Sequence, residues 1–191
     1  MSLRVGVLGS TRGTALQGVL EALAEGSLPG VEVVLVVSDK AAAPILERAR
    51  GARVRAEWIS AAGLTREAYD ARVTEVFEAA GVELVLMIGY MRIVSAGFVE
   101  TWRGRMLNVH PSLLPAFGGL MNTRVYEAVL AAGVSETGCT IHQVTEEVDG
   151  GPIVLQKRTP VLAGDTVESL KERVQGLEQV GFVEVLRGWG R

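Results

Sequence analysis

The alternation of short apolar runs with helical stretches is the feature that most limits how this chain can fold. Residues 3–8, 31–37 and 84–88 are rich in Val, Leu and Ile, and residues 54–59 are a weaker strand candidate. Runs of this kind suit strands buried on both faces. Between them, residues 14–24 carry Leu16, Val19, Leu20 and Leu23 on one helical face. Residues 44–50 open with a proline tolerated in a first turn, and residues 66–80 form a third helix. Strand-helix alternation predicts an α/β fold, with a mostly parallel sheet and helices on both faces.

The second half changes character. Residues 106–109 form a short strand that stops at His110-Pro111. Residues 138–144 and 152–160 are β-rich and flank Asp149-Gly150-Gly151, which suggests a hairpin-like pair. A closing helix runs through Leu170, Val174, Leu177 and Val180, with Asp165 and Glu168 spaced as a capping-box variant at its start. No repeat, low-complexity linker or composition break divides the chain. The expectation is one domain over residues 1–191, ending in a β-rich portion and the closing helix.

Composition excludes several function classes. A hydrophobic fraction of 48% supports a packed core, and a net charge of −3 gives no basic footprint for nucleic acid or an anionic membrane. One cysteine, Cys139, forbids an intrachain disulfide and a cysteine-rich zinc site, and two histidines forbid a three-histidine centre. No metal is expected. The apolar stretch after Arg4 is too short for a signal peptide, and no run approaches the ~18 residues of a membrane span. A cytoplasmic protein is expected, without membrane or nucleic-acid partners.

Two places carry chemistry. Gly9-Ser10-Thr11-Arg12-Gly13-Thr14 joins the first strand to the first helix, where unpaired N–H groups and a partial positive charge suit a phosphate. The spacing is neither that of a dinucleotide fingerprint nor that of a Walker loop. It also fits a plain turn whose glycines serve geometry only. In the second place, strand alternation puts Asn108 and His110 on one face at a strand's carboxyl end, where open parallel sheets hold ligands. An amide beside an imidazole suits an oxyanion. Asp149 reads either as a turn residue or, folded back, as a carboxylate that raises the pKa of His110. His142 reads as a structural residue of its strand.

The stretches Asn108-Val109-His110-Pro111-Ser112-Leu113-Leu114-Pro115, Gly89-Tyr90-Met91-Arg92-Ile93-Val94-Ser95 and Val144-Thr145-Glu146-Glu147-Val148-Asp149-Gly150-Gly151-Pro152 resemble the phosphoribosylglycinamide formyltransferases. The first-loop glycines and Glu178 extend the resemblance along nearly the whole chain. It implies formyl transfer from 10-formyltetrahydrofolate, as cosubstrate, to the amine of glycinamide ribonucleotide in purine biosynthesis. Asn108, His110 and Asp149 are the implied catalytic residues, with protonated His110 stabilising the oxyanion. Gly13, Thr14, Ala15 and Glu178 are the implied ribotide ligands. Arg66, Met91, Arg92, Ile93, Val94, Asn108 and Val144 are the implied folate ligands, with Met87 and Met106 as walls. No metal is implied, and the chain would act as a monomer or homodimer.

There are departures from the family's pattern. Ala15 stands where Asn is common, Arg12 is an addition, and Ala116-Phe117-Gly118-Gly119-Leu120-Met121-Asn122-Thr123 replaces a more usual loop. The alternatives are a formyltetrahydrofolate hydrolase, a non-catalytic nucleotide-binding module and a nicotinamide-dependent dehydrogenase using Asp39. The absence of a further N-terminal module weighs against the hydrolase.

Overall fold

The computed structural model describes residues 2–189. In chain order it contains β1 (Leu3–Leu8), α1 (Thr14–Ala24), β2 (Val31–Ser38), α2 (Pro44–Gly51), β3 (Ala56–Trp58), α3 (Arg66–Ala79), β4 (Leu84–Met87) and α4 (Ala96–Thr101). Then follow β5 (Met106–His110), α5 (Thr123–Ala132), β6 (Glu136–Gln143), β7 (Ile153–Pro160) and α6 (Val167–Gly188). The strands form one sheet in the order β3-β2-β1-β4-β5-β6-β7. From β3 to β5 every pairing is parallel, whereas β6 runs antiparallel to both β5 and β7. The expectation of an α/β fold with a mostly parallel sheet holds, and the hairpin-like β-rich pair forms its antiparallel end.

Each face of the sheet has its own core. Val5, Val7, Leu84, Leu86 and Leu107 pack with α1, α2, α5 and α6 on one side. Leu8, Leu35, Val85, Met87 and Met106 pack with Tyr69, Phe77 and Trp102 on the other, under α3 and α4. The alternation of adjacent strand residues between these two clusters is the strand period of two expressed in packing. Strand order reverses between β1 and β4, so the loops leaving their carboxyl ends separate. This opens the crevice where doubly wound sheets hold ligands.

Several boundaries differ from expectation. β3 starts at Ala56, not residue 54, because the Val54 N–H is used by the Ala49 carbonyl at the end of α2 and Arg53 takes a left-handed φ of 62°. The short α4 was not anticipated; Ser95 caps it by accepting from the Phe98 N–H. Nor was α5, which follows Asn122 at φ 56° and ψ −138°. The cap of α6 is Thr166 with Ser169. Asp165 and Glu168 do not form it: Asp165 accepts from the Leu162 N–H and pairs with Arg173 at 2.7 Å. Val180 is 57% exposed, so the buried stripe of α6 runs through Leu170, Val174, Glu178 and Phe182 instead.

Candidate active site

A cleft of about 350 Å³ lies at the carboxyl ends of β1, β4 and β5, bordered by His142 of β6 and the connection that follows it, and closed on one side by α6. Gly13, Thr14 and Ala15 line one part of it, and α1 opens there with no side-chain cap. Its first-turn N–H groups are the donors an anion would find. Gly13 itself sits at φ 63°, and a Cβ there would lie 2.3 Å from the Ile45 side chain. The glycine is therefore required by the turn and by packing against α2. Arg12 also lines the cleft.

Ser10 and Asp39 hold this loop in place. The Ser10 hydroxyl donates to Asp39 Oδ1 at 2.6 Å and accepts from the Met91 N–H at 3.0 Å, tying the β1, β2 and β4 ends together. Asp39 is thereby engaged within the protein, which removes the feature that favoured a nicotinamide cofactor.

The other part of the cleft depends on side chains. Asn108 and His142 are direct cross-strand partners on β5 and β6, and the Asn108 amide nitrogen lies 3.2 Å from His142 Nε2. His142 Nδ1 is 2.9 Å from the Gln143 carbonyl and donates to it, which turns Nε2 toward Asn108 and Asp149. Asp149 returns from the β6–β7 connection in a left-handed conformation, φ 54°. Its carboxylate reaches His110 Nδ1 at 3.3 Å, His142 Nε2 at 3.6 Å and the Gly119 N–H at 2.8 Å. Gly151 permits the return: a Cβ there would sit 1.8 Å from the Gln143 carbonyl oxygen.

The loop between β5 and α5 touches both members of the His110–Asp149 pair. Phe117, held at φ 61°, places its carbonyl 3.0 Å from His110 Nε2, while Gly119 donates to Asp149. Both ring nitrogens of His110 thus face acceptors, and only the imidazolium satisfies both contacts at once. Burial opposes that charge. It outweighs the raising effects of Asp149 and the Phe117 carbonyl, and the pKa of His110 falls below its ordinary value. The sequence reading expected Asp149 to raise it; Asp149 does act in that direction, but desolvation of the buried ring is the larger effect. For Asp149 the balance goes the other way. Burial raises its pKa, yet His142, the Gly119 N–H and His110 together hold the carboxyl below the usual range.

Glu178 is nine-tenths buried on α6 and lines the same cleft, its pKa pushed up to about 8 chiefly by burial. Met91, Arg92, Ile93, Val94 and Val144 line it too, and Ile93, Met121 and Val148 give its mouth exposed apolar surface. Two expected residues are elsewhere. Arg66 is exposed at the start of α3 and does not line the cleft, and Met106 is sealed in the core beside Trp102 while Met87 does form a wall. Cys139 is buried with its thiol pushed up to about 12 by desolvation, which leaves it inert as a nucleophile.

Residues that sequence reasoning passed over are His142, Tyr126, Phe117 and Gly119. The register that pairs His142 with Asn108 is a long-range property. Tyr126 sits on the unforeseen α5. No cluster of three or more metal-ligating side chains occurs among the described residues, and none of their helices is long and apolar enough to cross a membrane.

Residues 3–186 match the family model described as formyl transferase. A trifunctional purine biosynthetic protein adenosine-3 from Bos taurus is 43% identical over 185 residues, covering 96% of this chain but 18% of that protein. The chain therefore spans less than a fifth of the length of that relative. A phosphoribosylglycinamide formyltransferase from Escherichia coli (strain K12) is 39% identical over 185 residues, covering 96% of this chain and 85% of that one. The crystal structure of glycinamide ribonucleotide transformylase 1 from Symbiobacterium toebii superposes with a TM-score of 0.92 at 45% identity, covering 97% of this chain and 86% of that one.

Proposed function

Because this chain belongs to the formyl transferase family, we propose that it moves the formyl group of 10-formyltetrahydrofolate to the amine of glycinamide ribonucleotide, releasing formylglycinamide ribonucleotide and tetrahydrofolate. The observation that carries the reading is one continuous cleft. It joins an uncapped helix start and a buried carboxyl to an Asn-His-Asp cluster with an apolar mouth. A phosphorylated sugar fits the first part and a flat, largely apolar folate the second.

In this reading the ribotide phosphate meets the N–H groups at Gly13, Thr14 and Ala15, and Glu178 accepts from the sugar hydroxyls. The pterin lies along Met91, Arg92, Ile93 and Val94 and against Val144, with the formyl group beside Asn108. Arg66 takes no part in the cleft as it stands, so its expected folate role is dropped from the mechanism.

The ribotide amine attacks the formyl carbon, and the carbonyl oxygen becomes an oxyanion. Asn108 donates to that oxygen, its amide oriented by His142. His110 begins uncharged because burial lowers its pKa. An oxyanion forming beside it adds the negative charge that favours the imidazolium, so the ring takes up the proton that the attacking amine sheds as the intermediate forms. Asp149 and the Phe117 carbonyl then both accept from the charged ring. The stabilisation is greatest when the oxyanion exists, which is what lowers the barrier. Collapse of the intermediate breaks the bond to N10 of the folate, and the proton taken from the amine passes to N10 through water beside Asp149 as His110 returns to its neutral form.

The test follows folate absorbance with a 10-formylfolate cosubstrate, with and without glycinamide ribonucleotide. The proposal requires strict dependence on the ribotide and recovery of its formylated product. Equal deformylation in both samples would establish the hydrolase instead, and no change in either would refute the proposed enzyme activity.

A further inference from the structure

Buried polar groups normally find a hydrogen-bond partner, and those left open onto a cavity are positioned to meet a ligand. Two such groups stand together in the cleft, on helices that pack against each other: Tyr126 in the first turns of α5, and Glu178 on α6. Tyr126 is 4% exposed and Glu178 9%. Neither side chain is hydrogen-bonded among the described residues, and their titration is shaped only by burial and neighbouring charge. The Tyr69 and Tyr90 hydroxyls are sealed from any surface, whereas the polar atoms of Tyr126 and Glu178 are not. For residues this buried, that remaining surface belongs to the cleft they line.

Their position relative to the anion site narrows the ligand. α1, whose start forms that site, packs on α6, and a Cβ at Gly18 would lie 2.7 Å from the Cβ of Gln179. Tyr126 and Glu178 therefore line the cleft beside the candidate phosphate site. They are close enough for the charge of Glu178 to act on the phenol. Burial alone would leave Glu178 protonated up to about pH 8, but two diol hydroxyls donating to it favour the carboxylate. That carboxylate accepts from both and leaves the diol oxygens without donors, and a phenol supplies one.

We propose that Tyr126 is a specificity-determining residue of the ribotide subsite: its hydroxyl donates to an oxygen of the ribose diol whose protons Glu178 accepts. The assignment rests on the ribotide reading of the cleft and adds a residue to it. Burial keeps the Tyr126 phenol protonated, so it remains a donor across the working pH range.

The experiment compares Tyr126→Phe with wild type for binding of glycinamide ribonucleotide and its 2′-deoxy and 3′-deoxy analogues by titration calorimetry, with KM and kcat measured alongside. The substitution removes one hydroxyl and keeps the buried ring. Ribotide affinity should fall about tenfold, the strength of one neutral hydrogen bond. The loss should appear in KM rather than kcat, and one deoxy analogue should bind both proteins alike. A variant that binds ribotide as wild type does, or that weakens all three ligands equally, overturns the role of Tyr126 while leaving the ribotide reading intact. A wild-type protein that binds none of the three overturns both.

Discussion

The two halves of the cleft are built by different means. On the parallel side, the candidate phosphate site is made of backbone: an uncapped helix start, a glycine at positive φ and a loop tied down by Ser10 and Asp39. On the antiparallel side, the candidate reaction centre is made of side chains. Asn108, His110, His142 and Asp149 meet because β6 pairs with β5 in one register and the next connection folds back. Backbone sites tolerate changes in side-chain identity and are damaged by changes in shape. Side-chain sites behave oppositely. Substrate grip and chemistry should therefore be separable by mutation.

The largest separation is expected at Asp149. Asp149→Asn removes the charge that accepts from His110 and should lower kcat by roughly 10²–10⁴-fold, the scale of positioned acid-base groups. Near-normal steady-state turnover would contradict the role given to the pair. Asn108→Ala should cost about 3 kcal/mol of transition-state stabilisation, or roughly 10²-fold in kcat/KM. If KM alone rose, Asn108 would belong to binding and not to the oxyanion.

At Gly13 the comparison runs the other way. Gly13→Val places a Cβ against Ile45 and forces a β-branched residue to φ 63°, so it should destabilise the protein by about 1–3 kcal/mol. Thermal unfolding would register that loss, and the ribotide KM should rise with the displaced loop while kcat changes less. An unchanged melting temperature would show that the contact with α2 is not what the glycine serves.

A further effect concerns pH. Glu178 ionises near the ordinary carboxylate value of 4.5 when unfolded but only at about 8 in the folded protein. Below the lower value both states are protonated and the burial carries no penalty. Between the two values the unfolded chain loses its proton while the folded one keeps it, so stability declines by at most about 1.4 kcal/mol per pH unit and levels off above the higher value. Glu178→Gln should flatten that decline in melting temperature while weakening ribotide binding. A wild-type profile flat between these values would remove Glu178 from the account.

These differences also explain what could be read from sequence. The strands and helices of the parallel half follow from local pattern. β1 and α1 have the predicted bounds because Val5, Val7, Leu16, Val19 and Leu20 carry the two periods plainly. Asn108 and His110 were legible for the same reason, as alternating residues at a strand end. His142 was not, since its role comes from a partner thirty-four residues away. The direction of the His110 shift was misjudged because spacing reveals a neighbouring carboxylate but not the depth of burial. α5 and Tyr126 were hidden by the loop before them, whose Phe117 and Asn122 adopt positive φ without the glycines that usually signal it. Glu178 was marked by the resemblance alone, although a carboxylate within the Leu170, Val174, Phe182 stripe is a signal in its own right.

The most direct test of the division within the cleft is calorimetric titration of Asp149→Asn with glycinamide ribonucleotide. The two-part account predicts a Kd within about twofold of wild type in a protein that has lost turnover. A ribotide affinity that falls in step with kcat would contradict it, and would mean that grip and chemistry share the same residues.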